Sequence, residues 1–409
     1  MQSPLTAMAT RHVLDGAIGV VVLVVLTWTL YRPKIQQSER YQSMVVPLAN
    51  IMDVGFLVLS PIIIVLVGYE APLYMLGICL AAIVTGFVIS YNIRHYEPLV
   101  GTTDRLHSVA AAANWSLFGA SMVNIAYYVQ LLMTLVLLPL DVYTDGRVTF
   151  TSVVLLVVVI VAGYRGYLPL LNRLGDRTTA FNLAALGAVL AAFAAYNVLE
   201  ALAGRWDFPS YDPAVGGDDL RKLLGLFAMV QGFEASRYIG ERFSGEVRIS
   251  TMRWAQVIAT SVFVALIAVV LLPAGQILPA PDATAIFVVS KEVSPYLPWL
   301  ILVAAIGSQL SAITNATSSR SDLLMEATKQ TVARKFTFPI LLVPAIMIVE
   351  FTDVTEAVAI ASRVFALYFV LQAVIAVILA HRKRNWTGVA GFSAIGLMMA
   401  TVTIFGLPV

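Results

Sequence analysis

The sequence predicts an all-α polytopic membrane protein with twelve transmembrane helices. Of its 409 residues, 59% are hydrophobic and only 12% are charged, and the mean hydropathy of +0.85 is above that of soluble globular domains. The apolar runs are long and continuous, as in helical membrane proteins, rather than short and alternating, as in membrane barrels. Two of the runs carry an acid beside a glycine, which predicts that these two helices are broken.

Each apolar run approaches the roughly 20 residues that a helix needs to cross the hydrocarbon of a bilayer. The predicted spans are 12–31, 45–68, 72–92, 108–139, 150–171, 179–203, 220–240, 254–273, 298–318, 336–351, 355–380 and 388–407. The first span is interpreted as a retained anchor, because it lacks a small-residue cleavage site and is followed at once by Arg32. We therefore expect one membrane domain over residues 1–409, with the first and last spans as extra helices.

Most of the 26 Lys and Arg residues fall in alternate connections between the spans. Examples are Arg32 and Lys34 after the first span, and Arg382 and Lys383 before the last one. Because basic loops remain in the cytoplasm, both termini are expected outside, in a bacterial cytoplasmic membrane. This rule accounts for the basic loops without a nucleic-acid partner.

The second span holds the clearest sign of a broken helix. Gly55 can adopt the left-handed conformation that ends a helix, and Ser60-Pro61 is typical of a helix start. An unpaired acid such as Asp53 is costly at membrane depth, which favours an unwound segment over a simple proline kink. The expected half-helices are 45–54 and 61–68.

The seventh span repeats this pattern, because a short apolar helix is followed by Gly232, Glu234 and Arg237. The second and seventh spans are five apart, so they run in opposite directions. Two interrupted helices in corresponding positions of opposed halves are typical of inverted-repeat transporters. The halves are expected at residues 45–203 and 220–380.

Two segments resemble the amino acid–polyamine–organocation (APC) superfamily of transporters. "GFEASRYIGERFSGEVRISTMRWAQVIATSVF" is similar to its sixth core helix and the following loop, and "LSAITNATSSRSDLLMEATKQTVARKFTFPILL" is similar to its eighth helix and the link to the ninth. The resemblance implies the leucine-transporter-type fold, a five-plus-five inverted repeat with two broken helices. It also implies a secondary transporter with its substrate near Gly55 and Gly232.

The same resemblance bears on the substrate. Amino acid transporters of this superfamily bind the substrate carboxylate through the backbone amides of a Gly-x-Gly break, where this chain has Asp53 followed by a single glycine, Gly55. The stretch "DVGFLVLSP" also resembles the Asp-x-Gly and Ser-Pro elements of bacterial potassium-uptake permeases. The leading expectation is a proton-coupled transporter of a small amine, amino acid or related organic solute. The alternatives are a permease for potassium or another inorganic cation, and a sensor or scaffold without flux.

The candidate substrate-binding residues lie in three spans. They are Asp53, Gly55, Phe56 and Ser60 in the second, Ser121, Asn124 and Tyr128 on one face of the fourth, and Gly232, Phe233 and Glu234 in the seventh. For Asp53 and Glu234, binding of a proton or cation with Arg237 as counter-charge stands against a static ion pair. Tyr127 is expected to point elsewhere and to mark an interface.

Two further groups are candidates for ion binding or gating. Ser308, Ser311 and Thr314 follow one another at one-turn spacing in the ninth span, which suits either sodium ligation or close helix packing. Arg363 lies inside the eleventh span, where it could gate the outer vestibule with Glu356, bind a carbonyl or reach outward to the interface. The expected partners are a small-molecule or cation substrate, a proton or sodium ion, and the lipid bilayer.

No enzymatic site is evident in the sequence. The four histidines fall at span ends or in loops, and there is no catalytic triad, no metal-ligand spacing and no phosphate-binding glycine loop. We therefore expect neither catalysis, nor a cofactor, nor a bound metal.

Overall fold

The structure is a computed structural model that describes residues 4–53, 55–100, 106–207, 211–277, 284–328 and 331–409. These ranges are helical and contain no β-strand. The α-helices are α1 (Pro4–Leu30), α2 (Pro33–Gln36), α3 (Glu39–Ile51), α4 (Gly55–Val67), α5 (Ala71–His95), α6 (Leu106–Leu137), α7 (Asp145–Tyr164), α8 (Leu168–Leu202), α9 (Gly217–Gly225), α10 (Gly245–Ile277), α11 (Ala285–Val293), α12 (Leu297–Ala327), α13 (Arg334–Phe351), α14 (Val354–Arg382) and α15 (Trp386–Phe405). Short 3₁₀-helices cover Gly68–Glu70, Glu97–Leu99, Leu138–Leu140, Phe227–Val230 and Phe233–Ile239.

Within the described ranges, eight helical stretches are long and apolar enough to cross a membrane. They match eight of the predicted spans, and one of them joins α4 to α5. The other four predicted spans are covered by α1, by α3 with α4, by α9 with two 3₁₀-helices, and by α13. The expected all-α membrane class is therefore confirmed, while the count of twelve crossings stays a prediction.

The half-helix α4 lies at the centre of the molecule. It is hydrophobic on all sides, and every residue of it except Val65 is buried, as expected for a helix that is surrounded by others. It packs against α5, α10 and α11. Because α4 is enclosed by neighbouring helices, polar backbone at its first turn can be satisfied by protein groups instead of facing lipid.

The helices at the two ends of the sequence lie at the periphery. The first, α1, packs along α8, where Gly19 lies beside the Ala188 carbonyl and Gly187 lies beside Leu26. Small residues of this kind let two membrane helices approach closely. The last, α15, packs on α14. The interpretation of these two helices as additions to a central repeat stays a prediction.

The first break lies where it was predicted, but its boundaries differ from the expectation. α3 ends at Ile51 and α4 begins at Gly55, so the interruption is shorter than expected and the second half-helix starts earlier. Gly55 is not among the glycines with a positive φ, and the carboxylate of Asp53 accepts a 2.8 Å hydrogen bond from its amide. A side-chain cap from Asp53 thus starts α4, and a left-handed glycine is not needed.

Ser60 and Pro61 lie inside α4 and do not start it. In a regular helix the amide of residue 61 would donate to the carbonyl of Leu57, and proline has no such donor. The hydroxyl of Ser60 donates to that carbonyl at 2.8 Å instead. The restart expected at this pair is therefore wrong, because Ser60 fills the acceptor that Pro61 leaves open.

The second break is the more extended one. α9 ends at Gly225, a 3₁₀-helix covers Phe227–Val230, and Gly232 adopts φ 113° before the next 3₁₀-helix. Ser362 of α14 bridges the first interruption, because its hydroxyl donates to the Gly225 carbonyl at 2.6 Å and accepts from the Ala228 amide at 2.7 Å. A neighbouring helix thus satisfies the backbone groups that the break leaves open.

Candidate substrate site at the two broken helices

The two breaks lie against each other. A β-carbon on Gly55 would lie 3.2 Å from Cε of Met229, and a β-carbon on Gly232 would lie 2.7 Å from Cβ of Asn50. Side chains at either glycine would therefore collide with the opposite segment. The two interruptions therefore lie at the same place in the helix bundle, as the two broken helices of inverted-repeat transporters do.

Each break carries an acid that binds the amide of its own glycine. Asp53 accepts from the Gly55 amide at 2.8 Å, and Glu234 accepts from the Gly232 amide at 2.9 Å. Both acids are buried, with 9% and 5% of their surface exposed. A buried carboxylate is costly unless it is neutralised or compensated by charge and hydrogen bonds. The site therefore concentrates negative charge at two points where the backbone is open.

Arg237 does not serve as the counter-charge of Asp53 in this structure. Its Nη1 donates to Oε1 of Gln372 at 2.5 Å, and its guanidinium lies over the Tyr96 ring at 5.2 Å. Among the described residues, no ion pair or hydrogen bond joins it to Asp53. The expected pairing of Asp53 with Arg237 is therefore wrong here, because Tyr96, which follows α5, and Gln372 of α14 hold the guanidinium.

Arg320 is a charged residue near the site that sequence reasoning missed. It lies just beyond the predicted ninth span, 298–318, but α12 continues to Ala327 and carries it as a half-buried residue. Its Nε donates to the hydroxyl of Ser121 at 2.7 Å, and its guanidinium is close enough to Glu234 to interact with it electrostatically. The stretch Leu323–Ala327 after Arg320 consists of helix-favouring residues, which could have signalled that the helix continues.

The polar residues predicted on one face of α6 already use part of their hydrogen-bonding capacity within the protein. The hydroxyl of Ser121 donates to the Leu117 carbonyl at 2.8 Å while it accepts from Arg320. Asn124 donates to the hydroxyl of Tyr128 at 2.8 Å. The face is therefore ordered by its own hydrogen bonds, and Tyr128 keeps a hydroxyl proton that could be donated to a ligand.

Tyr127 also lies at the first break, contrary to the expectation that it marks an interface. Its hydroxyl is 2.1 Å from the position that a β-carbon on Gly55 would take, and Oδ1 of Asp53 is 2.8 Å from the same position. The tyrosine is 3% exposed, and its hydroxyl has no hydrogen-bond partner among the residues that the structure describes. Gly55 therefore makes room for a phenol, and both neighbouring tyrosines of α6 border the site.

The two aromatic candidates pack against the scaffold. The Phe56 ring lies 4.6 Å from that of Phe263 on α10, measured between centroids. The Phe233 ring stacks on Phe369 of α14 at 5.2 Å and 15°. Ser60 is fully buried and bonded within α4. These three candidates hold the helices around the breaks in place, and their contacts give no sign of a role in binding.

The hydroxyl groups of α12 are largely used within that helix. Thr314 donates to the Leu310 carbonyl at 2.9 Å, and Ser311 accepts from the Asn315 amide group at 3.2 Å. Ser308 and Ser311 are each 7% exposed. This arrangement suits helix packing, and no feature of it favours sodium over a packed interface.

Arg363 binds a carbonyl, which is one of the three expected outcomes. Its Nε donates to the Gly406 carbonyl at 2.7 Å, just beyond α15. Glu356 is the N3 residue of a capping box with Asp353 at the start of α14 and does not pair with Arg363. The segment after α15 also reaches α9, because the Leu407 amide donates to the Arg221 carbonyl at 2.9 Å. Arg363 therefore ties α14 to a tail that crosses α9.

The chain is similar to known transporters over most of its length. It matches a family model described as "APC superfamily transporter" over residues 33–406. An uncharacterized protein from Aquifex aeolicus (strain VF5) is 27% identical over 381 residues, which cover 91% of this chain and 92% of that protein.

Two solved structures share the fold at low sequence identity. The Eremococcus coleocola manganese transporter, solved with an aromatic bis-isothiourea substituted compound, has a TM-score of 0.52 at 15% identity and covers 88% of this chain and 86% of its own. A Na⁺-coupled sialic acid symporter in a substrate-bound outward-open state has a TM-score of 0.50 at 13% identity, with 98% of each chain covered. At such identities the likeness extends to the fold alone.

Proposed function

Because the chain belongs to the APC superfamily of transporters, as its two motif segments predicted, we propose that it is a secondary transporter that works by alternating access. Its substrate is a small amine, an amino acid or a related organic solute, and transport is coupled to a proton. The ammonium group of the substrate binds where the two breaks meet, beside Asp53 and Glu234.

The observation that carries this proposal is the pair of acids at the two breaks. Asp53 and Glu234 are buried, and within the described part of the chain neither has an ion-pair partner within 4.0 Å. The nearby Arg320 offsets part of this charge, so the site retains about one uncompensated negative charge by simple counting of charged groups. A cationic substrate group or a proton would compensate it.

The cap on α4 limits what can bind at that helix end. The exposed amides at a helix N-terminus attract anions, but here the amide of Gly55 already donates to Asp53. A substrate carboxylate would have to displace this side chain and would be repelled by its charge. The first break is therefore better suited to an ammonium group than to an anion.

Proton coupling is the favoured coupling mode because carboxylates at membrane depth exchange protons readily. The hydroxyls of Ser311 and Thr314 are bonded within α12, which gives no support to a sodium site there. We propose that Asp53 or Glu234 carries the proton. Ser308 and Ser311 remain the candidates if sodium takes part.

The same two acids keep an inorganic cation as the second candidate substrate. Carboxylates combined with open backbone carbonyls are the ligands that hard cations prefer, and a similarly folded structure is that of a manganese transporter. The thioether of Met229 lies beside Gly55 and would favour a softer metal ion. Potassium remains the cation suggested by the sequence of the second span.

The proposed membrane arrangement follows the sequence predictions. The chain crosses the membrane twelve times, residues 45–203 and 220–380 form the two opposed repeats, and the first and last helices are additions. Both termini face outside in a bacterial cytoplasmic membrane. Single cysteines at positions 36 and 143 should then be labelled from opposite faces, and labelling from the same face would contradict the arrangement.

The test of function combines binding with uphill flux. Purified protein is screened by thermal shift against amines, amino acids and monovalent and divalent cations, because a bound ligand stabilises the folded state. The best ligand is then offered, radiolabelled, to proteoliposomes with an imposed pH gradient. We expect accumulation above the outside concentration that a protonophore abolishes.

The test has a matched control variant, and several outcomes would contradict the proposal. Glu292→Gln removes an exposed acid of α11 and should leave uptake unchanged. Downhill exchange without accumulation would contradict the proton coupling. Binding without flux would favour a sensor or scaffold, and binding of metal or potassium alone would favour the second candidate.

A further inference from the structure

Arg320 lies beside the candidate site, and the proposed transport mechanism assigns it no ligand. It lies next to the stretch that follows the second break, because its guanidinium is 5.8 Å from the ring centre of Tyr238. The guanidinium has five N–H donors. In the described part of the chain only its Nε–H donates, to Ser121, and no carboxylate pairs with it.

The free donors of Arg320 have a geometry that suits a carboxylate. With Nε bonded to Ser121, the two terminal nitrogens remain, and a planar guanidinium binds a carboxylate through two parallel hydrogen bonds. Ser121 is 3% exposed and also bonded to the Leu117 carbonyl, so this acceptor fixes the orientation of the guanidinium plane. The site is thus built by two helices, α6 and α12.

Two neighbours define the space around this guanidinium. Arg320 interacts electrostatically with Glu234 and with Tyr128. The positive charge of Arg320 is therefore within electrostatic range of Glu234, and the Tyr238 ring beside it belongs to a residue four positions after that acid. A ligand whose own two opposite charges are close together, such as an amino acid zwitterion, matches this pattern.

We propose that Arg320 binds the carboxylate of a zwitterionic amino acid substrate, with the ammonium group held by Glu234 and Asp53. This proposal rests on the proposed function and narrows its substrate class. It also sets the orientation of the bound substrate, because Asp53 already accepts from the amide at the start of α4. The substrate carboxylate therefore points away from α4.

The test compares amino acids with the amines that lack only the carboxylate. The probes are L-leucine with isopentylamine, L-lysine with cadaverine, and L-phenylalanine with phenethylamine, each measured by thermal shift and by calorimetry on purified full-length protein. For the pair that binds, we expect the wild type to prefer the amino acid by about 10- to 100-fold, the range typical of a hydrogen bond to a charged group. Arg320→Gln should abolish this preference and leave amine binding nearly unchanged.

Two further variants separate a ligand role from a structural one. Ser121→Ala keeps the guanidinium but removes the acceptor that orients it, so the preference should shrink without vanishing. Arg242→Gln removes an exposed arginine and should leave the preference intact. Because Ser121→Ala keeps all charges, it remains informative if Arg320→Gln fails to fold.

The outcomes that overturn the inference differ from those that overturn the proposed function. Equal loss of amine and amino acid binding in Arg320→Gln, or a wild type that binds the amine as tightly as the amino acid, would make Arg320 a structural residue while the transport of amines stands. If no member of any pair binds and no flux is found, the proposed function fails together with this inference.

Discussion

Ser60 donates its hydroxyl to the carbonyl of Leu57 at 2.8 Å, the acceptor that Pro61 leaves without an amide donor. A serine before a proline thus repairs the gap that the proline makes in a helix. The pair looks like a helix start in sequence, yet it stabilises the interior of α4. Removing the hydroxyl should therefore affect stability and leave binding unchanged.

Ser60→Ala should leave the Leu57 carbonyl buried without a donor. An unsatisfied buried acceptor costs about 1–3 kcal/mol, so the melting temperature in detergent should fall while the affinity of the best ligand stays the same. Ser319→Ala, at an exposed position of α12, is the matched control. A weaker ligand affinity with unchanged melting would return Ser60 to the substrate site.

Asp53 combines a capping role with a charge, and two substitutions separate them. Asp53→Asn keeps a carbonyl oxygen that can accept from Gly55 but cannot ionise, so folding should persist and uphill uptake should vanish. Asp53→Ala should in addition lose about 1 kcal/mol of stability, the typical net contribution of one intramolecular hydrogen bond. Since Arg237 is bonded to Gln372, adding Arg237→Gln should not restore uptake. Normal accumulation by a folded Asp53→Asn protein would leave Glu234 as the coupling acid.

Gly55 and Tyr127 should show strong coupling in a double-mutant cycle. The methyl group of Gly55→Ala would lie 2.1 Å from the Tyr127 hydroxyl, and overpacking in a tight core costs about 1–3 kcal/mol. Tyr127→Phe removes the clashing oxygen, so the double variant should recover part of the lost stability. Additive losses in thermal unfolding would show that the phenol does not fill the space beside Gly55.

Arg248 and Glu97 form an ion pair at 2.6 Å, in which Arg248 is 5% and Glu97 is 25% exposed. Arg248 also donates to the carbonyls of Phe243, Ser236 and Arg237. Arg248→Met should therefore destabilise the protein more than Glu97→Gln, and the former loss should approach the roughly 3–5 kcal/mol known for broken buried pairs. The stability losses of the two variants are compared by thermal unfolding at low and at high salt. Equal losses would mean that the carbonyl contacts contribute nothing.

Sodium should have little effect on transport. We propose that a proton and not sodium drives transport, and the hydrogen bonds of Ser311 and Thr314 within α12 suit helix packing, so replacing sodium by choline at constant ionic strength should change neither melting temperature nor uptake. A saturable dependence on sodium that disappears in Ser311→Ala would identify a sodium site at α12.

The sequence predicted the helices well because apolar runs of membrane length leave little choice. In lipid, every backbone group must find a partner within its own helix or from a protein neighbour. The same constraint explains why both breaks were visible, since Asp53 and Glu234 would otherwise be buried charges in intact helices. The all-α membrane class therefore follows from hydropathy, and the positions of the two breaks follow from two acids in apolar runs.

The errors concern contacts between segments that are distant in the sequence. Arg237 binds Gln372, and Tyr127 meets Gly55 because the unwound segment passes close to α6. Helical spacing placed Tyr128 in the candidate site and Tyr127 outside it, but the hydroxyl of Tyr127 lies beside Gly55. Arg320 was misplaced because an arginine at the end of an apolar run looks like a loop, although it can lie in a polar pathway inside the helix bundle.

The tail that follows α15 has a practical consequence for measuring motion. Leu407 passes very close to α9. A β-carbon placed on Gly225 would lie 1.9 Å from the carbonyl oxygen of Leu407. Rotation or tilting of α9 during a transport cycle must therefore move or release this segment. A spin label at position 408, paired with one on a peripheral helix such as α7, would then record the conformational cycle as a distance change without a probe in the substrate pathway.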